Sequence, residues 1–332
     1  MNFIILPPLI FIATYISGII YAKLFKKFNS SKKNVPTGFG YILILIITSS
    51  LFFFQDQIYI QTVLPSLILI NISALFYYSD DLFNLNPWIR TLIIVLTSLI
   101  ILFLNYSELN FLSNTIELIL FNFIFISISF LIVNVLNFYD GSDLNLASII
   151  LLIGIILIFF SDNSSFYLKR IGLTLSSSIL GFGIINYKPK KLYLGDSGSF
   201  GIAFLFIILM RSSYLNSIPI FCALISLISF PIFDVLYVLL IRVRLSHNLL
   251  SRNFLHLYQR IQIIYGGFYY LLPVPLNMIY ILIITKILKE IGINHIKATL
   301  ISTIFITPIN YLLIRYKYIE RNYFFNDGKI NK

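Results

Sequence analysis

Apolar stretches of about 18 to 24 residues recur along the whole chain, each long enough to cross the hydrocarbon core of a bilayer as a helix. With 58% hydrophobic and 11% charged residues, the pattern is one of repeated membrane crossings rather than a soluble core. It predicts an all-α, polytopic integral membrane protein. Eleven spans are expected, at about 3–22, 41–54, 61–78, 91–104, 116–136, 144–160, 166–185, 199–211, 218–241, 264–286 and 298–314. The stretches 41–54 and 91–104 fall below the roughly 20 residues that a spanning helix needs and lean on their flanks.

The first run, through Tyr21 and Ala22, has no basic residue before it and no small-residue cleavage site, and Lys23, Lys26 and Lys27 follow it. It reads as a retained helix with its N-terminus outside. Alternating the spans from there gathers 18 of the 24 Lys and Arg on one face, which the positive-inside rule makes cytoplasmic. No polar stretch exceeds about thirty residues, so a separate extramembrane domain has no room. One domain over 1–332 is expected, with a cytoplasmic tail at about 315–332. The single cysteine, Cys222, lies in an apolar run and can form no internal disulfide.

The net charge of +11 resides in short juxtamembrane loops rather than on an aromatic-bearing soluble face. Anionic headgroups and phosphorylated substrates fit it better than nucleic acid. Carboxylates are scarce, 13 Asp and Glu in all, yet five of them fall in three clusters that end apolar runs: Asp80-Asp81, Asp140-Gly-Ser-Asp143 and Leu194-Gly-Asp196-Ser-Gly198. All three belong to the cytoplasmic face, so they form one candidate site built from several helix ends.

Asn134, Asn137, Asp140 and Asp143 recur every third residue, a single stripe if the helix runs on past Gly141. A polar seam with a capped helix end is the plain alternative. Leu194-Gly-Asp196-Ser-Gly198-Ser199 reads as a glycine-flanked turn at a helix start, where backbone N–H groups meet an anion and Asp196 meets a bridging cation. Asp80 and Asp81, adjacent on a helix and so about 100° apart, point in different directions and have different tasks. Pro87-Trp88-Ile89-Arg90 marks re-entry into the membrane, with Trp88 as interfacial anchor. Between Arg242 and Arg260 lie four arginines and two histidines; Arg252, His256 and Arg260 are candidate phosphate contacts, whereas His247 and His256 lack metal-ligand spacing.

Taken in order, Asp80-Asp81, Asn134-Val-Leu-Asn137-Phe-Tyr-Asp140-Gly-Ser-Asp143, Asn186-Tyr-Lys-Pro189 leading to Tyr193-Leu-Gly-Asp196-Ser-Gly198, and His256-Leu-Tyr258-Gln259-Arg260 resemble the motifs of the polyprenyl-phosphate sugar-1-phosphate transferases. These form glycosyltransferase family 4, the relatives of phospho-N-acetylmuramoyl-pentapeptide transferase and of undecaprenyl-phosphate GlcNAc-1-phosphate transferase. The resemblance covers about residues 23–262, and Pro36-Thr-Gly38-Phe-Gly40 looks like a worn form of the glycine-rich stretch before the second helix. It implies about ten or eleven helices, a cytosolic active site and Mg²⁺, with Asn137 and Asp196 holding the metal and Asp80 and Asp81 beside the lipid phosphate. Asp140 and Asp143 join the catalytic set, Tyr193 takes the place of an aromatic against uracil, and Asn186 lies near the nucleoside.

The resemblance further implies a Mg-dependent phosphotransferase for substituted phosphate groups in the inner, cytoplasmic membrane. It would move an N-acetylhexosamine 1-phosphate from a UDP-sugar to undecaprenyl phosphate, releasing UMP and starting an O-antigen or capsule-type glycan; a homodimer stays open. In-line attack on the β-phosphorus and a covalent aspartyl intermediate are both compatible with it. Two positions depart from the pattern: Leu144 stands where a glycine follows the second Asp, and Asn253 stands for the first histidine of His-x-x-His. They keep a catalytically silent relative in view. A cation-coupled transporter is the rival from another class, with Asp234 about 12 Å along the helix from Arg242 as its most deeply placed carboxylate.

Overall fold

The computed structural model describes residues 5–28, 36–54, 57–83, 85–104, 115–162, 166–187, 192–246, 255–320, 324–326 and 329–331. Twelve α-helices are found among them: α1 Leu6–Phe28, α2 Gly40–Phe54, α3 Gln57–Phe83, α4 Pro87–Leu104, α5 Thr115–Tyr139 and α6 Asn145–Phe159, then α7 Phe166–Tyr187, α8 Gly195–Asn216, α9 Ile218–Arg244, α10 Leu257–Tyr265, α11 Pro273–Glu290 and α12 His295–Leu312. A π-helical extension, Leu313–Glu320, prolongs α12, and Phe324–Asn326 pairs antiparallel with Lys329–Asn331 in a short ribbon. Ten of the eleven expected spans each coincide with one helix, because a helix bonds its own backbone groups where lipid offers no partner.

Eight of the helices are long and apolar enough to cross a membrane, α4 at 18 residues among them, whereas α2 and α6 have 15 residues each. Fifteen residues rise about 22 Å, short of a roughly 30 Å core. Large apolar side chains stay uncovered by protein, as expected of lipid-facing surface: Phe103, Phe123 and Phe159 are all more than two-thirds exposed. The multi-pass, all-helical class is therefore as expected.

Three boundaries differ from expectation. The span placed at 264–286 is two helices, because Gly266 and Gly267 take positive φ (63° and 54°), end α10, and let α11 begin at Pro273. The span placed at 199–211 begins at Gly195, so Asp196 lies in the first turn of α8 rather than before it. Finally, α5 stops at Tyr139, so Asp140 and Asp143 leave the stripe of Asn134 and Asn137 and fall in a turn. Asn134 spends its amide on its own helix, donating to the Phe130 carbonyl at 2.8 Å.

The chain divides into two compact units, residues 1–212 and 213–332. In the first, α7 packs against α6, α1 and α2, while α2 through α6 follow one another as neighbours. Small residues let these backbones approach: a Cβ on Gly172 would lie 2.7 Å from the Gly154 carbonyl oxygen, and one on Gly154 would lie 2.9 Å from that of Gly172. In the second unit α9, α11 and α12 pack together around a buried polar seam. Asn277 donates to Ser229 at 3.1 Å and to Thr307 at 3.3 Å, and Asn310 donates to Asn277 at 3.1 Å. Interhelical bonds of this kind contribute about 0.6 kcal/mol each in lipid and fix the rotation of the helices.

Candidate active site

The first unit assembles its site around the N-terminus of α8. The last turn of α3 carries Asp80 and Asp81, which diverge as their helical spacing requires. Asp80 turns inward, where it is 2% exposed. Its Oδ1 accepts the Leu85 N–H at 2.5 Å, and its Oδ2 lies 2.7 Å from Arg90 Nε in an ion pair. Asp81 reaches across to α8, accepting the Asp196 N–H at 2.9 Å and the Ser197 N–H at 3.1 Å. These are orphan donors of a helix start, so Asp81 caps α8 from another helix and sets its carboxylate against the positive end of the helix dipole.

Glycines make this contact close. Gly195 has φ 78°, and a Cβ there would lie 2.6 Å from Asp81 Oδ1. The segment before it is strapped to Pro36–Gly40, with the Tyr193 N–H on the Pro36 carbonyl at 2.8 Å and the Gly40 N–H on the Leu194 carbonyl at 2.9 Å. A Cβ on Gly40 would overlap the backbone of Gly198, so the two helix starts touch through bare backbone. Behind them the rings of Tyr77 and Phe200 stack at an interplanar angle of 20°.

Arg90 ties the clusters together. While Nε faces Asp80, its Nη1 donates to Asp196 Oδ2 at 3.3 Å, and the Tyr77 hydroxyl holds the Arg90 carbonyl at 3.0 Å. Sequence reasoning gave Arg90 no role beyond re-entry into the membrane. Its signal was that it is the single basic residue in the segment holding Asp80 and Asp81.

The turn after α5 meets the same helix start. Ser199 Oγ donates to Asn137 Oδ1 at 3.2 Å and lies 3.3 Å from the Asp196 carbonyl oxygen, so Asn137 and Asp196 converge on one hydroxyl. Burial raises the affinity of Asp140 for its proton well above the usual carboxylate range; the charges of Asp196 and Asp81 add to this, and the Gly195 N–H opposes it. Asp143 lies in the same turn, half-buried. Leu144 then adopts a left-handed backbone, φ 59°, with its N–H held by Asn186 Oδ1 at 2.7 Å. Asn186 also donates to the Leu192 carbonyl at 3.0 Å and is 5% exposed, so its amide joins this turn to the strapped segment ahead of α8. Tyr193 is half-buried beside it.

The amide oxygen of Asn137 and the carboxylate of Asp196 are donors of the type a hard cation takes, and their residues are linked through Ser199. Among the described residues no three His, Cys, Asp or Glu side chains are grouped to hold a metal by themselves. A cation here would take one carboxylate, one amide oxygen and the remainder from water or a ligand, which suits an ion that keeps few protein ligands. Among the described residues Asp80 and Asp196 share the Arg90 guanidinium while Asp81 and Asp140 lie near Asp196, a concentration of acidic groups that would favour such an ion.

In the second unit, His256 stands at the N-cap of α10 and Arg260 one turn later, both buried. Arg242 is buried near the end of α9 and Arg244 is exposed. Arg252 and Asn253 lie outside the described residues.

Residues 63–213 match the model of a protein family described as glycosyl transferase family 4. Over 134 residues the chain is 27% identical to a Bacillus subtilis (strain 168) protein named probable undecaprenyl-phosphate N-acetylglucosaminyl 1-phosphate transferase. That alignment covers 39% of this chain and 37% of the relative, so the similarity spans well under half of either protein.

Proposed function

We propose that the chain is a member of glycosyl transferase family 4, whose model its residues 63–213 match, and that it transfers an N-acetylhexosamine 1-phosphate from a UDP-sugar to undecaprenyl phosphate at the cytoplasmic face of the inner membrane. The observation that carries the reading is the joining of Asp80, Asp81, Asn137 and Asp196 around one helix start by Arg90 and Ser199. A helix N-terminus beside oxygen ligands for a cation is a place for a pyrophosphate.

The acceptor is a phosphate monoester whose second pKa is about 6, so at neutral pH it is already a competent nucleophile. It needs alignment more than a base. Its oxygen attacks the β-phosphorus of the donor, a new P–O bond forms, the bond from that phosphorus to the oxygen bridging to the α-phosphate breaks, and UMP leaves. Asp81 fixes the α8 start that receives the donor, and Asp80 acts through Arg90, whose guanidinium stays about one-third exposed. Asp140 and Asp143 shape the charge of the same pocket. Tyr193 offers a ring to the base, with Asn186 fixing the backbone beside it. Mg²⁺, when bound by Asn137 and Asp196, supplies screening of the pyrophosphate charge. Within the second unit His256 and Arg260, with Arg252, supply phosphate contacts.

The test incubates purified protein with undecaprenyl phosphate and a panel of UDP-sugars and reads both lipid mass and released nucleotide. A lipid-linked pyrophosphate sugar with UMP is expected. Because one phosphoanhydride replaces another, the equilibrium constant lies within roughly tenfold of unity, about 1.4 kcal/mol, and labelled UMP exchanges into the UDP-sugar. Turnover that releases UDP without exchange would overturn the assignment.

A further inference from the structure

Asp234 is fully buried in α9 and has no task in the chemistry above. Its carboxylate accepts two hydrogen bonds from α10 and α12 and shares a third with His256. Its Oδ1 takes the Leu257 N–H at 3.0 Å and the Tyr311 hydroxyl at 2.8 Å, and its Oδ2 faces His256 Nδ1 at 3.1 Å. Arg315, 1% exposed, donates to the same Tyr311 hydroxyl at 2.7 Å and to the Leu255 carbonyl at 3.3 Å. The Arg315 guanidinium carbon also lies 4.8 Å from the centre of the Tyr237 ring.

The pieces fit in one order. His256 is the N-cap residue of α10 but makes no side-chain cap of its own. Asp234 supplies that cap by taking the Leu257 N–H, and so holds the backbone from which His256 projects. Oδ1 takes the Leu257 N–H and the Tyr311 hydroxyl, and Oδ2 faces the imidazole. An ionised carboxylate only accepts, so the proton in the shared bond belongs to His256 Nδ1. Tyr311 relays Arg315, and the cation balances the buried carboxylate through one hydroxyl.

We propose that Asp234 is a positioning residue for His256: it keeps the ring proton on Nδ1 and assigns Nε2 to the phosphate ligand, with Tyr311 and Arg315 holding Asp234 in place. The proposal rests on the reading of His256 as a phosphate contact. For a phosphate oxygen to accept from Nε2, that nitrogen carries a second proton brought by the protonated fraction of the phosphate itself, and Asp234 carries the charge that balances the resulting imidazolium, as orienting carboxylates do behind catalytic imidazoles. The helix that follows the polar seam, together with its π-helical extension, thereby belongs to the support of a ligand-binding histidine.

The experiment uses the full-length protein in detergent with ¹⁵N-labelled histidine. The chain has 3 histidines, and His256→Gln identifies the signal. At a pH where the ¹⁵N shifts themselves show its ring neutral, His256 should carry its proton on Nδ1 and none on Nε2. In Asp234→Asn that signature should shift towards protonated Nε2, and turnover should fall about 10- to 100-fold, the cost of removing an orienting partner. The double variant with His256→Gln should fall no further than the worse single variant. A neutral ring protonated on Nε2 instead of Nδ1 in the unaltered protein without phosphate, or fully additive losses, overturns the proposal. If Asp234→Asn does not fold, the unaltered protein's spectrum still decides. Failure of the sugar-transfer reading is seen separately, as absence of UMP release, and leaves the ring signature untouched.

Discussion

Asp81 and Asp196, 115 residues apart in sequence, meet as carboxylate and backbone N–H at 2.9 Å, and the capping bond goes from the last turn of α3 to the first turn of α8. Asp234 does the same for α10 through Leu257. In both places an acidic side chain singled out in the sequence, Asp81 for the lipid phosphate and Asp234 for the rival transporter reading, is occupied in holding a helix start. In the proposed reading the residue placed for chemistry is the one whose backbone is held: Asp196 in the first case, and His256, next to Leu257, in the second.

Gly195→Ala tests the first cap. A non-glycine residue at φ 78° costs about 1–2 kcal/mol for its backbone alone, and the new Cβ would push against both oxygens of Asp81. Activity should fall by more than tenfold and the melting temperature should drop. Gly183→Ala, whose nearest contact would be an ordinary 3.4 Å, should be close to neutral, as read by thermal unfolding in detergent.

Arg90→Gln leaves the buried carboxylate of Asp80 without its cation, a change that costs about 3 kcal/mol for a buried pair. Adding Asp80→Asn should recover much of that stability but none of the turnover. A double-mutant cycle on unfolding and on initial rate measures the two separately; additive unfolding costs would show that the pair contributes nothing.

Legibility was uneven for physical reasons. Apolar length read out each helix because lipid leaves the backbone no other partner. Clustering of scarce carboxylates singled out Asp80, Asp81, Asp140 and Asp196. What pattern could not show was long-range: the sharing of Arg90 between Asp80 and Asp196, and the capping of α8 by Asp81. The turn after α5 was equally hidden, since it ends at Leu144, in a left-handed backbone held by Asn186, 42 residues on. At Gly266-Gly267 the signal was present in the paired glycines, but the continuous apolar run outweighed it.

Topology is checked by thiol labelling in a Cys222→Ser background. Ser142 precedes α6 and Asp162 follows it, at opposite ends of one 15-residue apolar helix. The positive-inside bias predicts that Ser142→Cys is shielded from an impermeant reagent in intact cells while Asp162→Cys reacts. The reverse pattern would turn the whole assignment of faces over.

Asp196→Asn should abolish turnover, by about 10²- to 10³-fold or more, while the protein remains extractable and folded. Asp196 gives its backbone to Asp81 and Ser199, bonds that the amide variant keeps. Normal activity at saturating Mg²⁺ would remove Asp196 from the mechanism.

Asp140 gives the fold an unusual pH dependence. Its proton affinity in the folded protein lies well above the ordinary 3.8, so between 3.8 and the folded value the native state holds more protons than the unfolded chain. By linkage, its contribution to stability is fully present below 3.8 and is lost as pH rises through the folded value, the reverse of a salt-bridged carboxylate. In EDTA the melting temperature should therefore carry a component that declines as pH rises, and Asp140→Asn should remove that component. Mg²⁺ should flatten it as well, because a cation at Asn137 and Asp196 offsets the repulsion from Asp196 that favours the protonated acid. Melting curves recorded across pH for both proteins, each with EDTA and with Mg²⁺, read all of these outcomes. An identical slope in Asp140→Asn would place the titration elsewhere.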